Sequence, residues 1–348
     1  MPWVEQLKIE AWAPSQIGQF FTFLPFSPDV WRSVSEFLGE DESPYWTRTF
    51  ANAYQTNGAL ELAVDKLLKY ERPVAAIRCL GKMRLSEMPV ESTMVVRALL
   101  GALRSDEPTG RMDSHHIVEL IKLLQGDSSA NRDEVANVEW AYLRLLDHGS
   151  ETHPQTLERR MANEPGFYLD VIRLVFRSKN EEHQDRPEST ESEKTAASNA
   201  YRLLNRWQIP PGCTDDGQMD PNRLNIWLDE VKLQSEESGH FDIAMSVVGQ
   251  VMTHAPADPG GLWIHQSAAA ALNGRDVEAM RDGFRTQIFN SRGVYSPTGG
   301  SGERALAAKY RERALKVDEF GFTRLATTLR GVADSYDWHA KREDGHSG

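Results

Sequence analysis

Apolar residues recur along this chain with the period of an α-helix. Within 60–68 they fall at Leu60, Ala63, Val64, Leu67 and Leu68, the i, i+3, i+4, i+7, i+8 spacing that draws one apolar stripe down a helix. Ile117, Leu120, Ile121 and Leu124 repeat it within 115–124, and 138–146 does the same. The stretch 167–179 is apolar nearly all round and predicts a buried helix; 196–207, 221–237 and 302–321 predict further helices. The two-residue alternation of a half-buried strand is almost absent. Start signals agree with this period. Ser27-Pro28-Asp29 offers an N-cap serine, a proline at the first helical position and an acidic first turn, and Asp220-Pro221 offers the same cap and proline. The pattern predicts an all-α protein of roughly 14 to 18 helices, built as an array of antiparallel helix pairs, an α-solenoid in two lobes.

One stretch breaks the period. Residues 180–194, NEEHQDRPESTESEK, contain no large apolar side chain and cannot offset the entropy of ordering. They predict a flexible acidic linker over 180–195. The expected order is an N-terminal helical segment over 1–57, a helical-repeat lobe over 58–179, the linker, a second lobe over 196–340, and a fraying tail over 341–348.

Between 238 and 261 the spacing of Gly239, Phe241, Ala244, Val248, Val251 and Pro256 is that of a helix entering from a turn, crossing a neighbour closely and stopping. Gly274 and Ala279 follow Gly239 and Ala244 at the same interval of 35 residues (274 − 239 and 279 − 244). In order and spacing these positions resemble the second-helix half of a tetratricopeptide repeat, whose period is about 34 residues. Trp263 and Ala270 stand where that family places first-helix positions. A degenerate copy lies over 66–83, with Ala75 or Ala76 in the alanine role and Pro89 after it. Asp276, Gly283 and the lack of a closing proline depart from the pattern in the second copy. The resemblance implies stacked helix pairs with a concave face for a protein or peptide partner. Stretches such as AYRLLNRWQIPPG and RLATTLRGVADSY are also similar to the C-terminal helical regions of large bacterial multidomain proteins of the STAND (NLR-like) antiviral kind. That similarity implies the sensing portion of a larger defence-type system.

Composition narrows the functional classes. The chain of 348 residues carries a net charge of −12, which disfavours coating nucleic acid, where affinity comes from basic side chains on phosphates. Residues 275–330 run the other way, with 11 Lys and Arg against 7 Asp and Glu. No apolar run reaches the ~18 residues of a membrane span. The opening residues lack the apolar core of a signal peptide, and two cysteines make no disulfide framework. These features fit a cytoplasmic protein.

Candidate chemistry is sparse. The glycine-rich stretch 292–304, RGVYSPTGGSGER, opens a helix and places Arg292 and Arg304 as contacts for an anion or a partner. It lacks the Gly-Lys-Ser/Thr ending of a phosphate loop, and Glu303 would repel phosphate. His148 and His153 are five apart around a turn, and His115 and His116 are adjacent, so neither pair has the i, i+4 spacing of a zinc helix. Nine tryptophans, among them Trp31, Trp46, Trp140, Trp207, Trp227 and Trp263, mark helix crossings or a partner-facing groove. The expectation is a non-catalytic interaction or ligand-sensing scaffold, with no metal and no cofactor. Its rival is an enzyme or nucleotide- or anion-binding regulator that uses 292–304.

Overall fold

The computed structural model describes residues 12–147, 152–181, 189–292 and 300–344. Among them are seventeen α-helices and no strand, only an isolated bridge between Cys213 and Met219. The protein is all-α. None of the described helices is long and apolar enough to cross a membrane. The chain divides into two compact units at Thr156/Leu157.

The first unit holds α1 (Pro14–Phe21), α2 (Pro28–Leu38), α3 (Ser43–Trp46), α4 (Leu60–Lys69), α5 (Pro73–Leu85), α6 (Ser92–Ala102), α7 (Arg111–Gly126) and α8 (Arg132–Asp147). The predicted stripe on α4 is buried at Leu60, Ala63, Val64 and Leu67. Much of the aromatic-rich segment after residue 20 is core: Phe26 and Trp31 lie 4.8 Å apart between ring centroids, and Trp46 packs on both. Phe23, by contrast, is 81% exposed. The buried carboxylate of Glu42 accepts from Ser35 Oγ (2.6 Å), Trp46 Nε1 (2.6 Å) and Lys66 Nζ (2.8 Å), so this charge enters the core fully partnered. Ser27 precedes Pro28 as expected but makes no side-chain cap bond.

The helix α9 (Gln155–Asn163) carries the division. The second unit continues through α10 (Pro165–Val175), α11 (Glu191–Arg206), α12 (Pro221–Glu237), α13 (Phe241–Val251), α14 (Gln266–Leu272), α15 (Glu278–Asn290), α16 (Ser301–Glu319) and α17 (Thr323–Asp344). The expected linker 180–195 falls inside this unit. Residues before it are tied to a distant turn: Ser178 Oγ donates to the Ser238 carbonyl (2.7 Å) and the Lys179 N–H to the Gly239 carbonyl (3.1 Å). Residues 191–194 are already helical, capped by Thr190, whose Oγ1 accepts from the Glu193 N–H while Glu193 accepts from the Thr190 N–H. The expected tail likewise begins as helix, since α17 runs to Asp344. Residues 182–188 and 345–348 lie outside the described residues.

Helix α10, predicted to be buried, supplies the hub of this unit. Tyr168 is fully buried; its ring packs on Trp207 (5.1 Å) and Trp227 (5.2 Å), and its hydroxyl donates to the Ala244 carbonyl (2.6 Å). One side chain thus joins α10, α12 and α13 with the end of α11.

Several helix ends close the same way. The N–H groups of Arg72, Met88, His240 and Phe322 each reach back five residues, to the carbonyls of Leu67, Met83, Ser235 and Val317. The residue skipped is left-handed each time: Glu71, Glu87, Gly239 and Gly321. Two of these four turns therefore hold a glutamate where glycine costs least.

A very close helix crossing lies between α13 and α15. A Cβ on Gly249 would overlap the Met280 carbonyl oxygen, and one on Gly283 would overlap that of Ser246. Backbone meets backbone there, and only glycine fits. Gly331, inside α17, has no atom within 4 Å of such a Cβ.

Two predictions follow from turns and crossing. Gly249→Ala and Gly283→Ala will each destabilise the protein by at least about 1–3 kcal/mol, while Gly331→Ala will stabilise it by about 0.5–1 kcal/mol. Chemical denaturation reads all three, and a common sign would refute the crossing. At the turns, Gly239→Ala will destabilise and Glu71→Gly will stabilise by about 1 kcal/mol, measured in the same way.

Candidate functional site

The sequence-marked positions divide on inspection. Gly239 has φ +70°, and a Cβ there would come within 2.5 Å of Ser178 Oγ. Phe241 opens α13; Ala244, Val248 and Val251 are buried on it. Pro256 is half-buried beyond the helix end, and its carbonyl accepts from the His265 N–H (2.7 Å). Gly274 is not left-handed; its carbonyl accepts from Arg281 Nη1 (2.6 Å). Ala279 is half-buried, and the buried positions beside it are Met280, Gly283 and Phe284. On α14, Ala268 and Ala269 are buried while Ala270 is exposed. The interval of 35 residues therefore joins positions of different local geometry. Gly249 and Gly283, 34 apart (283 − 249), share one crossing, and Gly283 had read as a departure from the repeat.

Gly239 and Ala279 do meet at one place. Both line a cavity of about 450 Å³, together with Phe176, Arg177, Lys179 and Ser246. The apolar part of the wall comes from Phe176, Ile243 and Ala279. The charged part is largely spoken for, because Lys179 pairs with Asp242 and Asp282 with Arg285 (3.0 Å). Arg177 is exposed at the rim. His240 also lines the cavity, and its two ring nitrogens lie 3.2 Å from Ser238 Oγ and from the Phe176 carbonyl. Its ring is thereby used to hold the chain around Phe176 against the turn. The wall can bury an apolar side chain and meet a polar or anionic group at Arg177.

The arginines of the glycine-rich stretch have protein partners. Arg292 pairs with Glu303, which is fully buried, and stacks on Tyr336 (5.6 Å). Arg304 pairs with Asp344 (2.9 Å). Burial raises the pKa of Glu303, but hydrogen bonding and charge attraction, led by the Arg292 guanidinium, outweigh it, and the carboxyl is held below its usual range. Residues 293–299 lie outside the described residues. So do 148–151, which contain most of the His148 stretch.

Elsewhere, His116 packs its ring against Gly81, and burial pushes its pKa down. Asp113 sits in the first turn of α7, accepts from the Gly110 N–H (2.7 Å) and is forked by Arg78 (2.9 Å twice). Among the described residues no three His, Cys, Asp or Glu side chains gather to hold a metal ion. Burial pushes the thiol of Cys79 to about 12 and that of Cys213 to about 11, so neither is a thiolate near neutral pH. Trp31, Trp46, Trp207 and Trp227 are buried; Trp140 and Trp263 are half-buried.

Comparison with protein-family models, with curated proteins and with solved structures finds no match for this chain. The class that the geometry defines is an all-α protein of packed helices.

Removing Arg292 tests its role. Arg292→Met leaves Glu303 buried without its cation and will cost about 3–5 kcal/mol. Arg304→Met breaks a half-exposed pair and will leave stability nearly unchanged. The folded-state pKa of Glu303 lies below its unfolded value. The pair's contribution is therefore complete above the unfolded carboxylate pKa of about 4.3. It disappears as pH falls through the folded pKa. Urea denaturation of both variants from pH 7 to pH 3 checks this, with the gap between Arg292→Met and the parent narrowing as pH drops.

Proposed function

We propose that the chain is a non-catalytic helical-repeat scaffold that holds a protein or peptide partner. The cavity lined by Gly239 and Ala279 carries this reading. Its volume is that of a small-ligand or side-chain site, its wall is partly apolar, and its charged groups other than Arg177 are held by protein partners, Lys179 by Asp242 and Asp282 by Arg285. A peptide with an apolar side chain followed by an acidic residue suits such a wall, the first against Phe176 and Ile243, the second at Arg177. The high pKa values of both thiols and the internal pairing of Arg292 and Arg304 also favour a binding role over catalysis or phosphate capture. The tetratricopeptide-like assignment, and a sensing role within a larger bacterial defence-type system, belong to the same proposal and rest on the sequence resemblances.

Selection from a random peptide library on the full chain tests it. Enriched peptides will carry an apolar–acidic pair, and Ala279→Trp, which fills the cavity, will weaken them at least tenfold, about 1.4 kcal/mol, without lowering the melting temperature. Failure to enrich any peptide, or binders indifferent to Ala279→Trp, would overturn the reading.

A further inference from the structure

The basic stretch 304–330 contains seven cations that differ in how they are neutralised. Arg304 pairs with Asp344, Arg311 with Asp337, Lys316 with Glu312 (2.8 Å) and Arg330 with Asp318 (2.5 Å). Arg324 donates to the Asn273 carbonyl (3.4 Å). Lys309 and Arg313 remain. They are one turn apart on α16, both lie over the Tyr310 ring (5.8 and 5.6 Å), and neither has a carboxylate within 4.0 Å among the described residues.

Arg313 is the unusual one. Its guanidinium is half-buried, stacked 4.2 Å from the centroid of Trp263, and has no hydrogen-bond acceptor among the described residues. A charged group taken out of water is ordinarily paired. Its neighbour in this unit, Arg292, obeys the rule, being stacked on Tyr336 and paired with Glu303. Arg313 has the stack but no anion partner among the described residues. Desolvation accordingly lowers its pKa, and the nearby carboxylate of Glu312 is engaged by Lys316. A second donor is unspent at the same place, because the indole N–H of Trp263 is buried with no acceptor. Among the described residues, this corner of α16 and the segment before α14 thus presents two donors without a hydrogen-bond acceptor, the Arg313 guanidinium and the Trp263 indole. The aromatic faces hold the guanidinium plane in place, so its N–H edge is arranged in advance for two coplanar oxygens.

We propose that Arg313, framed by Trp263 and Tyr310 and assisted by Lys309, is an oxyanion-binding point that takes the carboxylate or phosphate group of a ligand. The site is separate from the cavity at Gly239 and stands independently of the peptide reading. A group bound there exchanges solvent contacts for a bidentate bond in a partly desolvated setting, where the attraction is several times stronger than in water.

The side-chain Nε–H signals of the full chain, labelled at arginine, provide the test. Sodium acetate and sodium phosphate are titrated separately against sodium chloride at constant ionic strength. Comparison with Arg313→Lys assigns the Arg313 signal. The Arg313 signal will move saturably, with a midpoint at least about tenfold below that of the exposed Arg177. A stronger response to acetate identifies a carboxylate ligand, a stronger response to phosphate a phosphorylated one, and equal responses a general oxyanion site. The melting temperature will rise with the same anion in the parent and stay flat in Arg313→Met, which keeps an apolar contact on the two rings. An Arg313 signal that responds no more than that of Arg177 would overturn the proposal. So would an anion-dependent melting shift that persists in Arg313→Met.

Discussion

A protein made of helices must solve one problem many times over: each helix starts with N–H groups that no carbonyl of the same helix can reach. Here a distant side chain often supplies the acceptor. Glu107 caps the start of α5, accepting from the Val74 N–H (2.7 Å) while holding Arg72. Asn273 Oδ1 accepts from the Arg324 N–H at the start of α17 (2.8 Å), and Asp258 from the Gln266 N–H at the start of α14 (3.0 Å). Glu343 accepts from the Gly300 N–H before α16 (2.8 Å). Each bond satisfies a helix end and fixes where a loop or second helix lies against it. Local capping and tertiary packing are thus the same interaction, and these side chains serve as fasteners.

The same economy governs the charges. Glu42, Glu303 and Asp113 are buried with cations or hydrogen-bond donors already in place. Against that background a half-buried cation with no carboxylate partner among the described residues carries information, because burial without a partner is costly. Arg313 is such a group. The cavity at Gly239 is the complementary case, a concave wall whose charges are mostly closed upon themselves and whose apolar part is open.

How much of this was legible in the chain depends on the range of the interaction that sets it. Helical period fixed the fold class, and the bounds of α12 fall at the residues its pattern marked, because Asp220 caps locally through its own Oδ1 onto the Asn222 N–H (2.8 Å). The left-handed turn at Gly239 was also readable, since only local sterics require glycine there. The turns at Glu71 and Glu87 were not, because a side chain that tolerates the left-handed region leaves no compositional mark.

Tertiary structure alone decided the rest. The acidic segment read as a boundary because its residues cannot bury surface; the hydrogen bonds of Ser178 and Lys179 to residues 238 and 239, sixty positions away, tie the chain just before it to the turn ahead of α13. Gly283 looked like a flaw in a repeat because a missing side chain in sequence says nothing of what approaches it. In space it is the point where the α13 backbone comes closest. Arg292 and Arg304 looked free for a ligand because their partners, Glu303 and Asp344, are brought to them by the packing of α16 and α17. Period, caps and glycine turns are short-range and survive in one dimension. Which charge meets which, and which glycine lies at a crossing, are properties of contacts between residues far apart in the chain, and those exist only once the helices have packed.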